Sequence, residues 1–320
     1  MLEIENQIKK NFPLAKFSTY EIGGPAENFI AVSDKKALEA AIQWAKNNNQ
    51  SITILGGGSN VLISDQGIPG LVIKLDNNQI ELHGFTMWIG ANAEVRLVAE
   101  RALQEKMSGI EWSIGIPGSM GGAIRGNAGA HGVSFDQVVT KVLAFNIETL
   151  EFFFLDTHAC NFAYRHSIFK EKISWVVWEV YLELVEGKIE EMTQTMDEYK
   201  DYRRTSQPKE PSAGCVFKNF LVQDIEKVNP SVVAMAEAEG KVRGGKIGAG
   251  YLIQKLGLKG YSVGGAKISE KHANFVVNYN QAQAQDVVAI MDYVKAKVKE
   301  NYGIELENEV QYLGFSFEKI

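Results

Sequence analysis

Downstream of Ser33 the stretch DKKALEAAIQWAKNNN places Leu38, Ile42 and Ala45 on one helical face with polar residues between them. That spacing predicts a helix, and Ser33 is positioned to cap its start. The period then shortens to that of strands. SITIL at 51–55 and LVIKL at 71–75 flank a glycine-rich turn, so the chain opens as helix, strand, turn, strand. TMWIG at 86–90, a helix over 94–106, and the apolar runs KVLAFNIE, EFFFL and WVVWEVYLEL predict a second, strand-rich lobe. The helix GKIEEMTQTMDEYKDYRR starts near residue 188 and carries the chain away from it. Further on, AGYLIQKLGL reads as a helix and NFVVN as a strand. In QDVVAIMDYVKAKVKENYG a helical stripe collects Val287, Met291, Val294 and Val298, and IELENEVQYLG is expected to close the chain as a strand.

These elements define an α+β chain. Its 320 residues exceed the roughly 250–300 at which one core stops growing, so two or three domains are expected. SQPKEPSAG at 206–214 gathers two of the seven prolines with serine and glycine and is the expected junction. The expected division is 1–81 and 82–205 as two lobes of one domain, and 206–320 as a smaller α+β domain.

Composition narrows the class. A hydrophobic content of 45% with 22% charged residues is that of a globular enzyme. The first residues, MLEIENQIKKNF, lack the apolar core of a signal peptide, and no apolar run approaches the roughly 18 residues of a membrane span; a cytoplasmic location is expected. Two cysteines without Cys-x-x-Cys spacing, and five scattered histidines, argue against a zinc site or a disulfide framework. His131 has no partner at ligand spacing, so no metal is expected there. The net charge of −6 disfavours nucleic acid and membrane surfaces as partners. Locally the balance reverses: from Lys241 to Lys271 seven basic residues face Glu270 alone. That segment is either a solvated basic face or a site for an anionic ligand.

Residues 115–132, GIPGSMGGAIRGNAGAHG, hold seven glycines in eighteen positions. Each glycine costs backbone entropy and buries no side chain, so the value of the run is expected to lie in its backbone, whose N–H groups can crowd onto an anion. LGGGSN at 55–60 offers the same chemistry earlier in the chain, and two such turns suit a diphosphate. No G-x-G-x-x-G occurs, which excludes the Rossmann fingerprint. Gly240 to Lys246 has the spacing of a P-loop, but Ile247 stands where a hydroxyl must hold magnesium, and the match is read as accidental.

LGGGSNVL at 55–62 followed by the long glycine run is similar to the FAD-binding domain of the vanillyl-alcohol oxidase type, also called the PCMH type. YRHSIFK at 164–170, PSAGCVFKN at 211–219 and LENEV at 306–310 resemble the catalytic segments of the UDP-N-acetylenolpyruvoylglucosamine reductase family. GYLIQKLGLKGYSVGGAKISEKHANFVVN at 250–278 resembles that family's substrate segment, and STYEIGGPAENF at 18–29 its opening. The likeness spans nearly the whole chain. It implies a two-lobed FAD-binding domain followed by a substrate domain. Two positions depart from the family's frequent pattern: Cys215 where serine is common and Phe17 where histidine is. There is no room for the long aromatic-bearing insertion of some members, which points to the shorter subtype.

The resemblance implies that NADPH reduces FAD and leaves, after which hydride passes from flavin N5 to C3 of UDP-N-acetylglucosamine enolpyruvate and a proton to C2. The product would be UDP-N-acetylmuramate, a peptidoglycan precursor, and a monomer is expected. Arg165 would hold the substrate carboxylate as it gains charge, since its planar fork matches that geometry. Glu309 helps only while it carries or shares a proton, so an upward pKa shift is expected. Cys215 would protonate C2, a thiol being more acidic than the serine hydroxyl it replaces.

For FAD the resemblance implies Gly56, Gly57, Gly58, Ser59 and Asn60 in the first turn. Gly115, Ile116, Pro117, Gly118, Ser119, Gly121 and Gly122, with Asn127, would form the second. Tyr164, Lys218 and Asn219 would orient the substrate or its diphosphate. Tyr251, Lys259, Lys267, His272 and Asn274 are candidates for the UDP-sugar. Two other readings stay open at this point. An oxygen-using oxidase on the same flavin fold would often tether its flavin through a histidine in the first turn, which here reads GGGSN. A non-catalytic nucleotide-sugar binding module, motivated by the basic segment, would be colourless.

Overall fold

The computed structural model describes residues 2–316. The chain divides into two compact units, one formed by residues 1–12, 26–58 and 69–205, the other by 13–25, 59–68 and 206–320.

The first unit holds a four-stranded and a five-stranded sheet, two short two-stranded ribbons and a shared apolar core. In one sheet the strands run in the order Lys9–Pro13, Pro25–Val32, Ile68–Leu75, Ile52–Leu55. The last two are parallel, pairing Ile52 with Leu71 through Leu55 with Lys74, so the first glycine turn leaves the sheet at the end of a strand. Helix Lys35–Asn47 buries Leu38, Ala41, Ile42 and Ala45, as the spacing predicts. Its cap is one residue later than expected: the Asp34 carboxylate accepts from Ala37 N at 2.9 Å. Serine and aspartate cap about equally well, so the sequence alone could not choose between neighbours.

The second sheet is antiparallel throughout, in the order Glu151–Asp156, Val139–Asn146, Trp175–Glu183, Thr86–Gly90, Ile80–His83. Trp178, Val180 and Leu182 of its central strand point into the core. The strand order brings Gly90 to the sheet's end, from which residues 91–95 run along the long glycine run: Met120 N donates to Ala93 O at 2.9 Å and Gly121 N to Ala91 O at 2.7 Å.

In the second unit, helix Ala284–Tyr302 lies against the three-stranded antiparallel sheet Ser262–Val263, Ala266–Ile268, Val276–Asn278 and buries Val287, Met291, Val294 and Val298. The predicted closing strand is much shorter, Gln311–Leu313, and pairs in parallel with Val61–Ile63. Residues 304–310 form no strand; Glu307 and Glu309 bond through their main chain to Lys218 and Val216 instead. Asp65 accepts from Ala284 N at 2.8 Å and so caps the long helix. Tyr20 is fully buried and donates to Val276 O at 2.9 Å. The P-loop-like spacing at 240–246 is a hairpin: Arg243 pairs with Lys246, and the two residues between them, Gly244 and Gly245, have φ of 53° and 68°. Glycine adopts two such angles in succession without strain, which explains the motif without a phosphate.

No helix among the described residues is long and apolar enough to cross a membrane.

Candidate functional site

Within the first unit the two glycine turns meet. Gly57 N donates to Ser119 Oγ at 3.0 Å, and a Cβ on Gly57 would come within 2.6 Å of Ser119 N and 2.7 Å of Gly118 Cα. Gly58 and Gly118 have φ of 65° and 102°, angles that bar most side chains. Ser119 precedes the short helix Met120–Arg125.

The glycines of the long run exist for different reasons. Gly115 faces the Arg203 side chain, Gly121 would place a Cβ 2.9 Å from that of Ala91, and Gly129 faces the main chain of Val133. Packing against atoms that cannot turn away therefore accounts for Gly121 and Gly129, where the sequence suggested it could not. Gly122 and Gly126 differ. The nearest protein atoms to a Cβ there are Ser119 Oγ at 3.5 Å and Gly122 O at 3.6 Å, both ordinary contacts. Gly122 is helical and Gly126 has φ of −94°, so neither needs glycine for its angle. Alanine in a helix interior would be better by up to about 1 kcal/mol. The face these two glycines leave open fits a flat or anionic group lying directly on the main chain, as a flavin dinucleotide does. Gly126 was not among the residues singled out in the sequence; its lack of any packing excuse is visible only in three dimensions.

The YRHSIFK segment is tied to this run by three bonds. Asn127 Nδ2 donates to Ala163 O at 3.1 Å, Arg165 Nη1 to Gly129 O at 3.2 Å, and Ser167 Oγ to Arg125 O at 2.8 Å. Asn127 is 3% exposed and also accepts from Asp136 N at 3.2 Å, so its amide holds loops together. Ala163 and His166 exchange main-chain bonds, which leaves Tyr164 and Arg165 as the two central residues of a tight turn. Arg165 sits at φ 54° with its guanidinium over the Tyr164 ring, 5.5 Å from the centroid. A non-glycine residue pays about 1–2 kcal/mol for that angle. Such strain is often kept where a side chain must be aimed. His131 lies in the same run, its ring 4.2 Å from Tyr199 and 5.2 Å from Tyr202; burial, and then Arg203, lower its pKa.

The second unit gathers the remaining segments. Residues 215–218 run between 272–275 and 307–309. Val216 N donates to Asn274 O at 2.9 Å, Glu309 N to Val216 O at 2.8 Å, and Lys218 N to Glu307 O at 2.9 Å. Asn60 Nδ2 donates to Glu309 O at 3.1 Å, anchoring Glu309 from the segment after the first glycine turn. Ser59 O lies 3.4 Å from the Thr19 hydroxyl, which donates more closely to Ser212 O at 2.7 Å.

A cavity of about 540 Å³ opens beside Cys215. Asn219, Tyr251 and His272 of the expected set line it, together with Lys241, Lys255 and Lys271 from the basic segment and Glu239. The charge count in that segment leaves a solvated face and an anion site equally open and cannot say which lysines turn inward. Lys255 pairs with Glu239 at 2.6 Å. Burial, and then Glu239, raise the Tyr251 pKa. Asn219 Oδ1 accepts from Ala249 N at 3.2 Å, at the start of helix Ala249–Lys255. Burial, and then Lys259, lower the His272 pKa.

Other expected substrate residues are turned elsewhere. Lys218 pairs with Glu307, Lys267 lies 4.4 Å from the centroid of the Tyr279 ring, and the Asn274 side chain is directed at Phe217. Among the described residues no group of three or more His, Cys, Asp or Glu could hold a metal. The other cysteine, Cys160, is buried, and burial followed by Asp156 pushes its thiol up to about 12.

Comparison with known proteins matches both halves of this chain. Residues 26–146 match a family model described as "FAD binding domain", and residues 207–313 one described as "UDP-N-acetylenolpyruvoylglucosamine reductase, C-terminal domain". The UDP-N-acetylenolpyruvoylglucosamine reductase of Bacillus subtilis is 36% identical over 312 residues, covering 96% of this chain and 94% of that protein. The enzyme of the same name from Solibacter usitatus is 33% identical over 308 residues, covering 96% and 97%. The crystal structure of UDP-N-acetylenolpyruvylglucosamine reductase from Thermus caldophilus superposes with a TM-score of 0.75 at 31% identity, over 94% of this chain and 97% of that one. The α+β fold and the FAD-binding character expected from the sequence agree with these matches.

Proposed function

The chain belongs to the UDP-N-acetylenolpyruvoylglucosamine reductase family, and from that premise we propose that it reduces UDP-N-acetylglucosamine enolpyruvate to UDP-N-acetylmuramate with NADPH as hydride donor. The observation that carries this reading is the concentration of the expected residues within each unit. Arg165 is tied to the glycine run that fits the cofactor, and Cys215 opens on a cavity bearing three lysines, as a diphosphate-containing substrate requires.

In this reading residues 1–81 and 82–205 are the two lobes that hold FAD, and 206–320 is the substrate domain. Gly56 to Asn60 and Gly115 to Gly122 line the path of the dinucleotide, with open surface at Gly122 and Gly126, while the N–H groups of Gly57, Met120, Gly121 and Gly126 are bonded within the protein. A flavin held there would supply hydride, drawn from NADPH, for C3 of the enolpyruvyl ether. Arg165 meets the substrate carboxylate, where hydride addition pushes negative charge; a cation preset by a strained turn stabilises that charge without moving. Glu309 hydrogen-bonds to the same oxygens. Cys215 gives its Sγ–H proton to C2, and the thiolate left behind takes one from water. Lys241, Lys255, Lys271 and Tyr251 receive the UDP portion. The protein acts as a monomer in the cytoplasm.

The test is a purified protein under anaerobic conditions. It should be yellow, bleach with NADPH, and regain colour when the enolpyruvyl substrate is added, with UDP-N-acetylmuramate formed in equal amount. A colourless protein that binds the UDP-sugar, or a reduced flavin that air reoxidises far faster than the substrate does, would overturn it.

A further inference from the structure

We propose that Asn274 is a positioning residue for Cys215: its side-chain amide replaces a peptide group in a strand pairing and fixes the main chain that carries the thiol. The inference rests on the reading of Cys215 as proton donor.

Asn274 is 1% exposed, and its amide meets a single residue twice. Oδ1 accepts from Phe217 N at 3.1 Å and Nδ2 donates to Phe217 O at 2.8 Å. Two residues of an antiparallel hydrogen-bonded pair exchange N–H and C=O in this way, so the amide acts as the missing partner. The main chain of Asn274 extends the pairing by one step. Its carbonyl accepts from Val216 N at 2.9 Å, and Cys215 bridges to Phe275. On the opposite edge Val216 O and Lys218 N bond to Glu309 N and Glu307 O. From Val216 N to Lys218 N every main-chain polar group is thus partnered, three of the five by Asn274.

The same residue sets the neighbouring imidazole. Asn274 N donates to His272 Nδ1 at 3.2 Å, so a neutral His272 carries its proton on Nε2. Cys215 and His272 line one cavity, and both are held through Asn274.

Only asparagine presents an acceptor and a donor side by side on so short a stem. Aspartate does so while protonated, glutamine is one methylene too long, and alanine leaves the buried Phe217 N–H and C=O unpaired. Phe217 is two residues from Cys215, and a displacement of about 1 Å at a reacting atom can cost about 10² in rate.

The test measures product formation in a single turnover of the NADPH-reduced holoenzyme. Asn274→Ala should slow it about 10–100-fold, while flavin reduction by NADPH changes less than about 2-fold. Combined with Cys215→Ala it should add less than about 2-fold, because residues acting as a unit are not additive. Asn274→Asp should be slow at pH 8 and recover relative to wild type toward pH 5.5, as the buried carboxyl takes up the proton that restores the donor. This variant also carries the cross with Cys215→Ala if the alanine variant does not fold. An Asn274 defect of equal size with and without Cys215 would overturn the inference, as would an alanine variant at wild-type rate or an aspartate variant whose deficit ignores pH. A Cys215→Ala enzyme at wild-type rate would instead remove the donor reading itself, and the single variant reports that separately.

Discussion

Gly57→Ala and Gly122→Ala separate a glycine that the protein packs against from one that a ligand needs. At Gly57 the added methyl would sit 2.6 Å from Ser119 N and 2.7 Å from Gly118 Cα, both main-chain atoms that cannot rotate away. Ordinary contact requires about 1 Å more, so the two glycine turns must part, at the cost of about 1–3 kcal/mol typical of overpacking. For a unit of this size each kcal/mol is worth about 2–4 °C of melting temperature. Parting the turns also misplaces the N–H donors. Losing one charge-assisted bond of about 1.5–3 kcal/mol weakens FAD binding about 10–100-fold.

At Gly122 the nearest atom is Ser119 Oγ at 3.5 Å, so the apoprotein should be unharmed or gain up to about 1 kcal/mol from the better helix former. Its methyl enters the open face. If that face receives the cofactor, FAD affinity should fall at least about 10-fold with no loss of melting temperature. Thermal unfolding of the two apoproteins and a fluorescence titration with FAD give both numbers. Gly122→Ala binding FAD as tightly as wild type would refute the fit of the cofactor to this face. An unchanged melting temperature for Gly57→Ala would refute the contact between the turns.

The strained angle of Arg165 predicts that Arg165→Gly is about 1 kcal/mol more stable than Arg165→Ala, since both lose the bond to Gly129 O but only alanine pays for φ 54°; equal melting temperatures would contradict it. Arg165→Ala and Glu309→Gln should each cut product formation about 10²-fold while sparing flavin reduction by NADPH, whereas Cys215→Ser should stay active; equal losses in both half-reactions would count against the assigned roles. Acid should destabilise the second unit. Burial and Lys259 hold the folded His272 pKa below its ordinary 6.5. As pH falls below that value the unfolded chain takes up a proton the native site resists, and the stability present at higher pH is lost. His272→Gln should flatten the fall in stability below pH 6.5, and an unchanged slope measured by denaturant unfolding would show that other groups govern it.

Periodicity made most elements legible. The helix around Val287 to Val298 and the strand Trp175–Glu183 bury the apolar stripes that their spacing marks out. What periodicity could not reveal were pairings between distant residues. Nothing in VLI at 61–63 announces a parallel partner at 311–313, and the final segment, read as one long strand, spends most of its length on loop contacts. Local sequence carries the propensity for an extended chain but not the identity of its neighbour. The glycine run shows the same limit from the other side. Its letters are identical, yet Gly121 answers to Ala91, Gly118 to its angle, and Gly122 to an open face.

Asparagine is the residue type whose role a motif leaves most open, for a physical reason. The resemblance implies ligand roles for Asn60, Asn127, Asn219 and Asn274, and an amide can donate and accept at once. Each commits at least one amide function to the protein's own main chain, to Glu309 O, Ala163 O and Asp136 N, Ala249 N, and both polar groups of Phe217 respectively. An amide that mimics a peptide group pairs as readily with a loop as with a nucleotide, and a linear motif carries no sign of which it does. The loops so held are those bearing Glu309, Arg165, Tyr251 and Cys215. Their asparagines therefore govern where the reacting side chains point, and replacing one should perturb geometry before it removes a ligand contact.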